Sequence, residues 1–221
     1  MTGREAKDAL NAQFSRLART LGNPKRIELL DLLAQAERSV EDLAAACGMD
    51  FANTSAQLQV LSRARLVEGR REGRRVIYRL ADGGVTRFLA ALRELARDRL
   101  AEVEQVARDY FDAPDYLEPV SSTELMRRLD DRSTVVIDVR PRQEYDAGHI
   151  PGALSIPLGE LGSRIAALPA GSEIVAYCRG PYCVLAPQAI ELLRSFGLRA
   201  RRLADGLPEW RLAGLPVETA G

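Results

Sequence analysis

Two cysteines five positions apart, Cys178 and Cys183, are the residues of this sequence best placed to do chemistry. They bound the stretch Cys178-Arg179-Gly180-Pro181-Tyr182-Cys183, which Val184 follows, directly after the apolar run Ile174-Val175-Ala176-Tyr177. A cysteine ending a buried strand and opening a short Gly/Pro loop into a helix lies close to backbone N–H groups and the positive end of that helix. Those dipoles stabilise a thiolate or a bound anion, and the thiolate is the nucleophilic form of the side chain.

The elements that position this loop alternate. Short, fully apolar runs at 135–139 and 174–177, and a weaker one at 198–203, read as strands of a parallel sheet. Helical stretches near 122–129, 160–168 and 184–195 separate them, which predicts an α/β domain of about 100 residues. The first half is helix-rich instead. Leu17, Leu21, Ile27, Leu29, Leu30, Leu32 and Leu33 recur at helical spacing, interrupted by a stop and Pro-initiated start at Gly22-Asn23-Pro24. Ser39-Val40-Glu41-Asp42 is a capping box opening a short helix that ends at Gly48, and a further helix covers 52–63. A β-hairpin follows, 66–71 and 75–80 around Glu72-Gly73-Arg74. A long helix from about Val85 to Tyr110 carries Phe88, Leu89, Leu92, Leu95, Leu100, Val103 and Val106, too much apolar surface for a small domain to cover, and so predicts a homodimer. The acidic, proline-containing stretch around 112–119 marks the boundary. The expected division is 1–112, a linker at 113–120, and 121–221.

Composition narrows the function classes. The chain has 221 residues, 46% hydrophobic and 28% charged, as in a soluble globular protein. No run of 18 apolar residues exists, so no membrane span or membrane partner is expected. The start, Met1 to Lys7, lacks the apolar core of a secretory signal, and three cysteines fit a reducing compartment, so a cytoplasmic location is expected. Net charge is zero, yet residues 63–79 hold seven arginines against two glutamates, a local excess of five positive charges that calls for a polyanion or a solvated face.

The helix, tight turn, helix and basic hairpin follow winged helix-turn-helix order. The segments 53–61, Ala64-Arg65-Leu66-Val67 and 71–80 resemble the ArsR/SmtB repressors over roughly residues 10–110. The resemblance implies that helix 52–63 enters the major groove of double-stranded operator DNA with Ser55, Gln57, Gln59 and Arg63 exposed. Wing residues Arg71, Arg74 and Arg75 would follow the phosphates or the minor groove. The family usually carries histidine where Gln57 stands. Its metal-sensing members are not a guide here: His149 is the only histidine and lies in the other half, the helix 86–111 holds no His or Cys, and Cys47 has no partner at metal-ligand spacing. No metal and no cofactor are expected.

In the second half, Ile137-Asp138-Val139-Arg140, Glu144-Tyr145, Gly148-His149-Ile150-Pro151-Gly152-Ala153, Tyr177-Cys178-Arg179 and Asp205-Gly206-Leu207-Pro208-Glu209-Trp210 resemble the rhodanese domain over about 118–219. The resemblance places Cys178 on the cysteine that accepts a sulfane sulfur as a persulfide, and Cys183 is then open to three readings: a resolving thiol that attacks that persulfide, a second sulfur-carrying site, or an inert residue facing the core. Asp138 and Arg140 end the strand beside the loop, either as substrate contacts or as a structural ion pair; His149 reads as holding a turn. Rhodanese loops usually end in arginine where this chain has Cys183, which removes positive charge from the site and disfavours a dianionic donor such as thiosulfate. Val184 stands where a phosphatase relative would need arginine. The expected whole is a helix-rich winged helix-turn-helix domain with a hairpin wing, followed by an α/β rhodanese-like parallel-sheet domain. That whole is expected to be a repressor responding to a small sulfane-sulfur donor (persulfide, polysulfide or thiosulfate) through Cys178 and Cys183. The rival is a sulfurtransferase of low or specialised turnover whose DNA-binding half localises or autoregulates it. An oxidant or arsenic-type sensor on the same cysteine pair is the third reading.

Overall fold

The computed structural model of the chain describes residues 1–111, 119–130, 134–169 and 171–220. Its internal contacts divide it into two units, Met1–Thr86 and Arg87–Gly221.

In the first unit, helix α1 spans Gly3–Leu21, and α2, Pro24–Leu33, restarts at once. Asn23 caps α2 by accepting the Lys25 and Arg26 N–H groups, and Pro24 supplies a first-turn residue with no N–H to satisfy. A two-residue strand, β1 (Arg38–Ser39), leads into α3, Val40–Cys47. Ser39 Oγ accepts the Asp42 N–H at 3.1 Å and donates to its carboxylate at 2.8 Å. Gly48, at φ +60°, turns the chain toward α4, Phe51–Arg63, which Asp50 caps through Asn53 N–H at 2.7 Å. Arg65 then takes the left-handed position that closes α4, φ 59°, with Leu66 N–H bonding back to Leu61 O at 3.1 Å. Strands β2 (Val67–Glu72) and β3 (Arg75–Leu80) form the hairpin around Gly73-Arg74, and β1 pairs with the far edge of β3, giving an antiparallel order β1-β3-β2. Leu29, Leu30, Leu43, Leu58 and Leu61, all fully buried, form the core on which α2, α3 and α4 pack.

Two helices, α5 (Gly83–Arg99) and α6 (Ala101–Phe111), occupy the stretch expected to be one. The chain breaks at Leu100, whose N–H bonds to Ala96 O at 2.8 Å while its carbonyl accepts the tighter, three-residue bond from Val103 N–H at 3.0 Å. No Gly or Pro stands there, so the apolar period runs across the break without a signal.

The remaining elements are α7 (Ser122–Asp130), β4 (Thr134–Asp138), α8 (Arg142–Asp146), β5 (Leu154–Ser155), α9 (Leu158–Arg164) with a 3-10 turn at Ile165–Ala167, β6 (Glu173–Tyr177), α10 (Leu185–Ser195), β7 (Ala200–Arg202) and α11 (Leu207–Leu212). The four strands form a parallel sheet in the order β5-β4-β6-β7. Both faces are covered, which is why its two central strands, β4 and β6, read as apolar runs. Ile137, Ile174, Ala176 and Cys178 point to one face, packed with Leu161, Ala186, Ala189, Ile190 and Leu193; Val136, Val175 and Tyr177 point to the other, packed with Leu125, Leu207 and Trp210. Of the expected linker, residues 113–118 lie outside the described residues, and Val120 is a core residue that bridges Leu203. Among the described residues no helix is long and apolar enough to cross a membrane.

Candidate functional site: a cysteine loop and a basic hairpin

Strand β6 ends at Tyr177 and delivers Cys178 to the carboxyl edge of the sheet, where α10 begins seven residues later at Leu185. The intervening loop folds back on itself. Cys183 N–H bonds to Gly180 O at 3.1 Å, and Cys178 Sγ lies 3.9 Å from Gly180 O and 3.6 Å from Cys183 O. Cys178 is only 2% exposed, Cys183 half-buried, and Val184 faces solvent. Gly180, Pro181 and Tyr182 are all half-buried. From the far side Leu207 N–H reaches Cys178 O at 3.4 Å, and the backbone of Gly206 lies against that of Gly180.

The charged candidates are paired with one another. Arg140 donates to both oxygens of Asp138 and to Gly148 O at 2.7 Å; both side chains are completely buried. This is the structural ion pair of the two readings left open, and it offers no solvent-facing atom to an incoming donor. Arg179 is held by Glu144, with Nε 3.0 and 3.1 Å and Nη2 2.7 Å from the carboxylate, and Glu144 is fully buried. The one arginine inside the loop therefore has its charge matched. Glu144 belonged to the recognised sequence pattern, but a partner 35 positions away leaves no trace in spacing. His149 is engaged at both nitrogens, Nδ1 at 2.9 Å from Tyr145 O and Nε2 at 3.7 Å from the Glu218 carboxylate, and its ring stacks on Tyr145. Those contacts hold the turn at 145–149.

Loop dipoles and burial compete over the two thiols. Burial pushes Cys178 well up, and its hydrogen bond with Cys183 adds to the shift. Cys183 is lowered to about 6, first because Cys178 hydrogen-bonds to it, then through the N–H groups of Leu185 and Arg179 and the Arg179 charge, against an opposing cost of burial. Of the two, Cys183 is the more readily ionised, because burial raises the Cys178 thiol while the surrounding donors lower that of Cys183. At Cys178 burial opposes the loop dipoles, which still act on its sulfur through the N–H groups of Ala186 and Gly180. Alkylation of the folded protein with iodoacetamide, mapped by peptide mass, should rise at Cys183 through pH 6 and level off by about pH 8, while Cys178 stays unlabelled until alkaline pH. The sign follows from the lowered value: thiolate is present above it and lost as pH falls through it. Cys178→Ala should move the Cys183 midpoint upward, because the leading cause of its low value is gone.

The basic hairpin is built differently. Arg70 pairs with Glu37 and Glu72, and Arg79 with Glu68. Arg71, Arg74 and Arg75 are exposed and have no carboxylate partner among the described residues. On α4 the outward face carries Ala52, Asn53, Ala56, Gln59, Ser62 and Arg63. Of the four residues expected to be exposed there, Gln59 and Arg63 are; Ser55 and Gln57 are half-buried. Gln57 is turned inward by Arg26 of α2, whose Nη1 donates to Gln57 Oε1 at 2.9 Å. Asn53, which sequence reasoning did not single out, takes part in the same network. The 31-residue separation of Arg26 and Gln57 hides it in the sequence.

Comparison with known proteins matches both units. The family model for the rhodanese-like domain covers residues 121–213, and that for bacterial regulatory proteins of the arsR family covers 23–69. The HTH-type transcriptional regulator Rv0324 of Mycobacterium tuberculosis is 47% identical over 214 residues, 97% of this chain and 94% of that protein. A protein named sulfurtransferase from Allochromatium vinosum is 30% identical over 99 residues, 44% of this chain and 92% of its own length. Among solved structures, the homodimeric winged helix-turn-helix DNA-binding domain of Mb0332 from Mycobacterium bovis is 44% identical over 45% of this chain and 91% of that one, with a TM-score of 0.41.

Proposed function

This chain belongs to the ArsR family of bacterial transcriptional regulators and carries a rhodanese-like domain at its C-terminal side, and from that premise we propose a repressor that releases or grips its operator according to reactive sulfur species. Residues 1–112 bind DNA and dimerise; 121–221 receive the signal. The observation that carries the reading is the cysteine pair: two thiols five residues apart in one loop, with Cys178 Sγ 3.6 Å from Cys183 O and the loop arginine already matched by Glu144. Such a pair is suited to a switch rather than a turnover cycle: Cys178 takes a sulfane sulfur from the donor, which leaves as its thiolate, and Cys183 then attacks the inner sulfur of the Cys178 persulfide, closing the disulfide and releasing hydrosulfide. A second sulfane sulfur taken up first gives a polysulfide bridge instead. A monoanionic persulfide suits the site better than a dianionic donor such as thiosulfate, because the loop arginine Arg179 is already paired with Glu144.

Homodimer formation is supported by the apolar side chains that the single chain leaves exposed, Leu10 and Phe14 on α1, Phe88 and Leu95 on α5, Leu100 at the break and Val106 on α6. The operator-bound protein acts in the cytoplasm. The second reading, a sulfurtransferase with a regulatory appendage, draws on the relative of that name. Steady turnover with thiosulfate or glutathione persulfide, combined with operator affinity indifferent to sulfur donors, is the result that would replace the first reading with the second.

Operator binding followed by fluorescence anisotropy at fixed salt, with reduced protein, polysulfide-treated protein and Cys178→Ser, tests the proposal. We expect the treated wild type to change affinity at least tenfold and Cys178→Ser to stay at the reduced value; a change of 1.4 kcal/mol corresponds to about that factor. The hairpin has its own signature. Replacing Arg71, Arg74 and Arg75 by alanine should reduce the steepness of log affinity against log salt by about 0.9 for each phosphate no longer neutralised, without altering base preference. An unchanged salt slope would remove these arginines from the DNA interface.

A further inference from the structure

We propose that Asn53 reads a base edge and that Arg26, acting through Gln57, is the positioning residue that decides which way the Asn53 amide faces. The inference rests on the DNA-binding reading of α4 and goes beyond it.

Arg26 is anchored at the start of α2: its Nε donates to Thr20 O and its Nη2 to Arg19 O at 3.4 Å. Its Nη1 donates to Gln57 Oε1 at 2.9 Å. A guanidinium has five N–H donors and no acceptor, so it accepts only one orientation of the glutamine amide, oxygen inward. Gln57 Nε2 is then the donor on the other side, 3.1 Å from Asn53 Oδ1. Asn53 must in turn present its oxygen to Gln57, which leaves Nδ2 on the side of Met49 Sδ, 3.7 Å away and a weak acceptor. Flipping the Asn53 amide would set N–H against N–H. The polarity of the whole chain is thus imposed from its donor-only end.

Asn53 is exposed, while Gln57 and Arg26 are half-buried behind it. The asparagine therefore offers a donor, Nδ2, and beside it the remaining lone pair of Oδ1, in a fixed order along α4. In the major groove that order suits the adenine edge, whose N7 accepts and whose N6 donates. A freely flipping asparagine would be indifferent to the order of donor and acceptor. A histidine at position 57, usual in the family, relays polarity through a tautomer instead of a fixed amide.

The experiment is selection from a library of random duplexes by the full-length reduced protein at fixed salt, followed by sequencing. For the wild type we expect an adenine-preferring position in each half-site, where any other base weakens binding about tenfold or more. Asn53→Ala, an exposed substitution that leaves the core alone, should flatten that position and spare the rest. Arg26→Met, which keeps a stem and removes every donor, should flatten the same position; Arg26→Lys, still donor-only, should retain it. A merely structural Arg26 would weaken all sequences alike and leave the preferences in place. Unchanged preferences in Asn53→Ala overturn the inference while the DNA-binding reading stands. A wild type that enriches no sequence sinks that reading and this inference together.

Discussion

Arg140→Met should destabilise the sheet-containing unit by about 3–5 kcal/mol, the largest effect expected of any single substitution in it. The methionine fills similar volume, so little of the loss comes from packing. What remains is the Asp138 carboxylate, fully buried and stripped of the three side-chain contacts that match its charge. Desolvating two charges is expensive, and breaking a buried pair on one side strands the other charge, whereas removing both is far milder. Asp138→Asn combined with Arg140→Met should therefore recover most of the loss, since an asparagine oxygen can still accept the Arg140-position backbone N–H that Asp138 Oδ1 takes at 3.0 Å. Trp210 is the only tryptophan of the chain and is fully buried in this unit's core. Urea unfolding followed by its fluorescence thus reports on this unit alone. A single mutant within 1 kcal/mol of wild type would show that the pair contributes little. A loss of this size is a large share of the 5–15 kcal/mol that typically separates folded from unfolded domains.

Gly206→Ala is the second large effect, and it acts on the site directly. An added Cβ would stand 2.2 Å from Gly180 N, 2.4 Å from the Arg179 carbonyl carbon and 2.5 Å from Gly180 Cα. All three are backbone atoms of the cysteine loop, so no side-chain rotation relieves the clash. Gly206 itself is extended, φ −113° and ψ −174°, a conformation alanine adopts freely, so the effect is purely one of close approach. We expect a destabilisation of about 1–3 kcal/mol in urea, and a loop pushed off α11 that exposes Cys178 to iodoacetamide at neutral pH. Gly180→Ala is the control. Its Cβ would meet only the Glu209 carboxylate at 3.7 and 3.8 Å, ordinary contact, and should leave both stability and labelling near wild type. If the two alanine variants label alike, Gly206 does not hold the loop.

The contrast between those two glycines shows where sequence reasoning stops. Both stand in recognised stretches of the chain, and nothing local distinguishes the one that a neighbouring backbone forbids from the one that tolerates a side chain. Local chemistry was readable: the Pro-initiated start at Pro24, the cap at Ser39, the turns at Gly48 and Gly73, and the unbroken apolar runs that became β4 and β6. The short elements α8, β5 and α11 escaped, because five-, two- and six-residue segments carry too little periodicity to register. The break at Leu100 escaped for the opposite reason, an apolar period that continues through it.

The same division holds at the site. Residue types and spacing alone determined that two cysteines share a strand-to-helix loop and that positive charge gathers on the hairpin; the resemblance to rhodaneses added that Cys183 stands where that family usually has arginine. These are properties of neighbours along the chain. Tertiary structure alone decided how deeply each thiol is buried, which arginines have their charge matched, and which amide of α4 faces outward. The last two depend on a partner 31 or 35 positions away, Gln57 for Arg26 and Glu144 for Arg179. Coulomb and desolvation energies are set by distance through space and by exclusion of water, and neither is written into sequence separation.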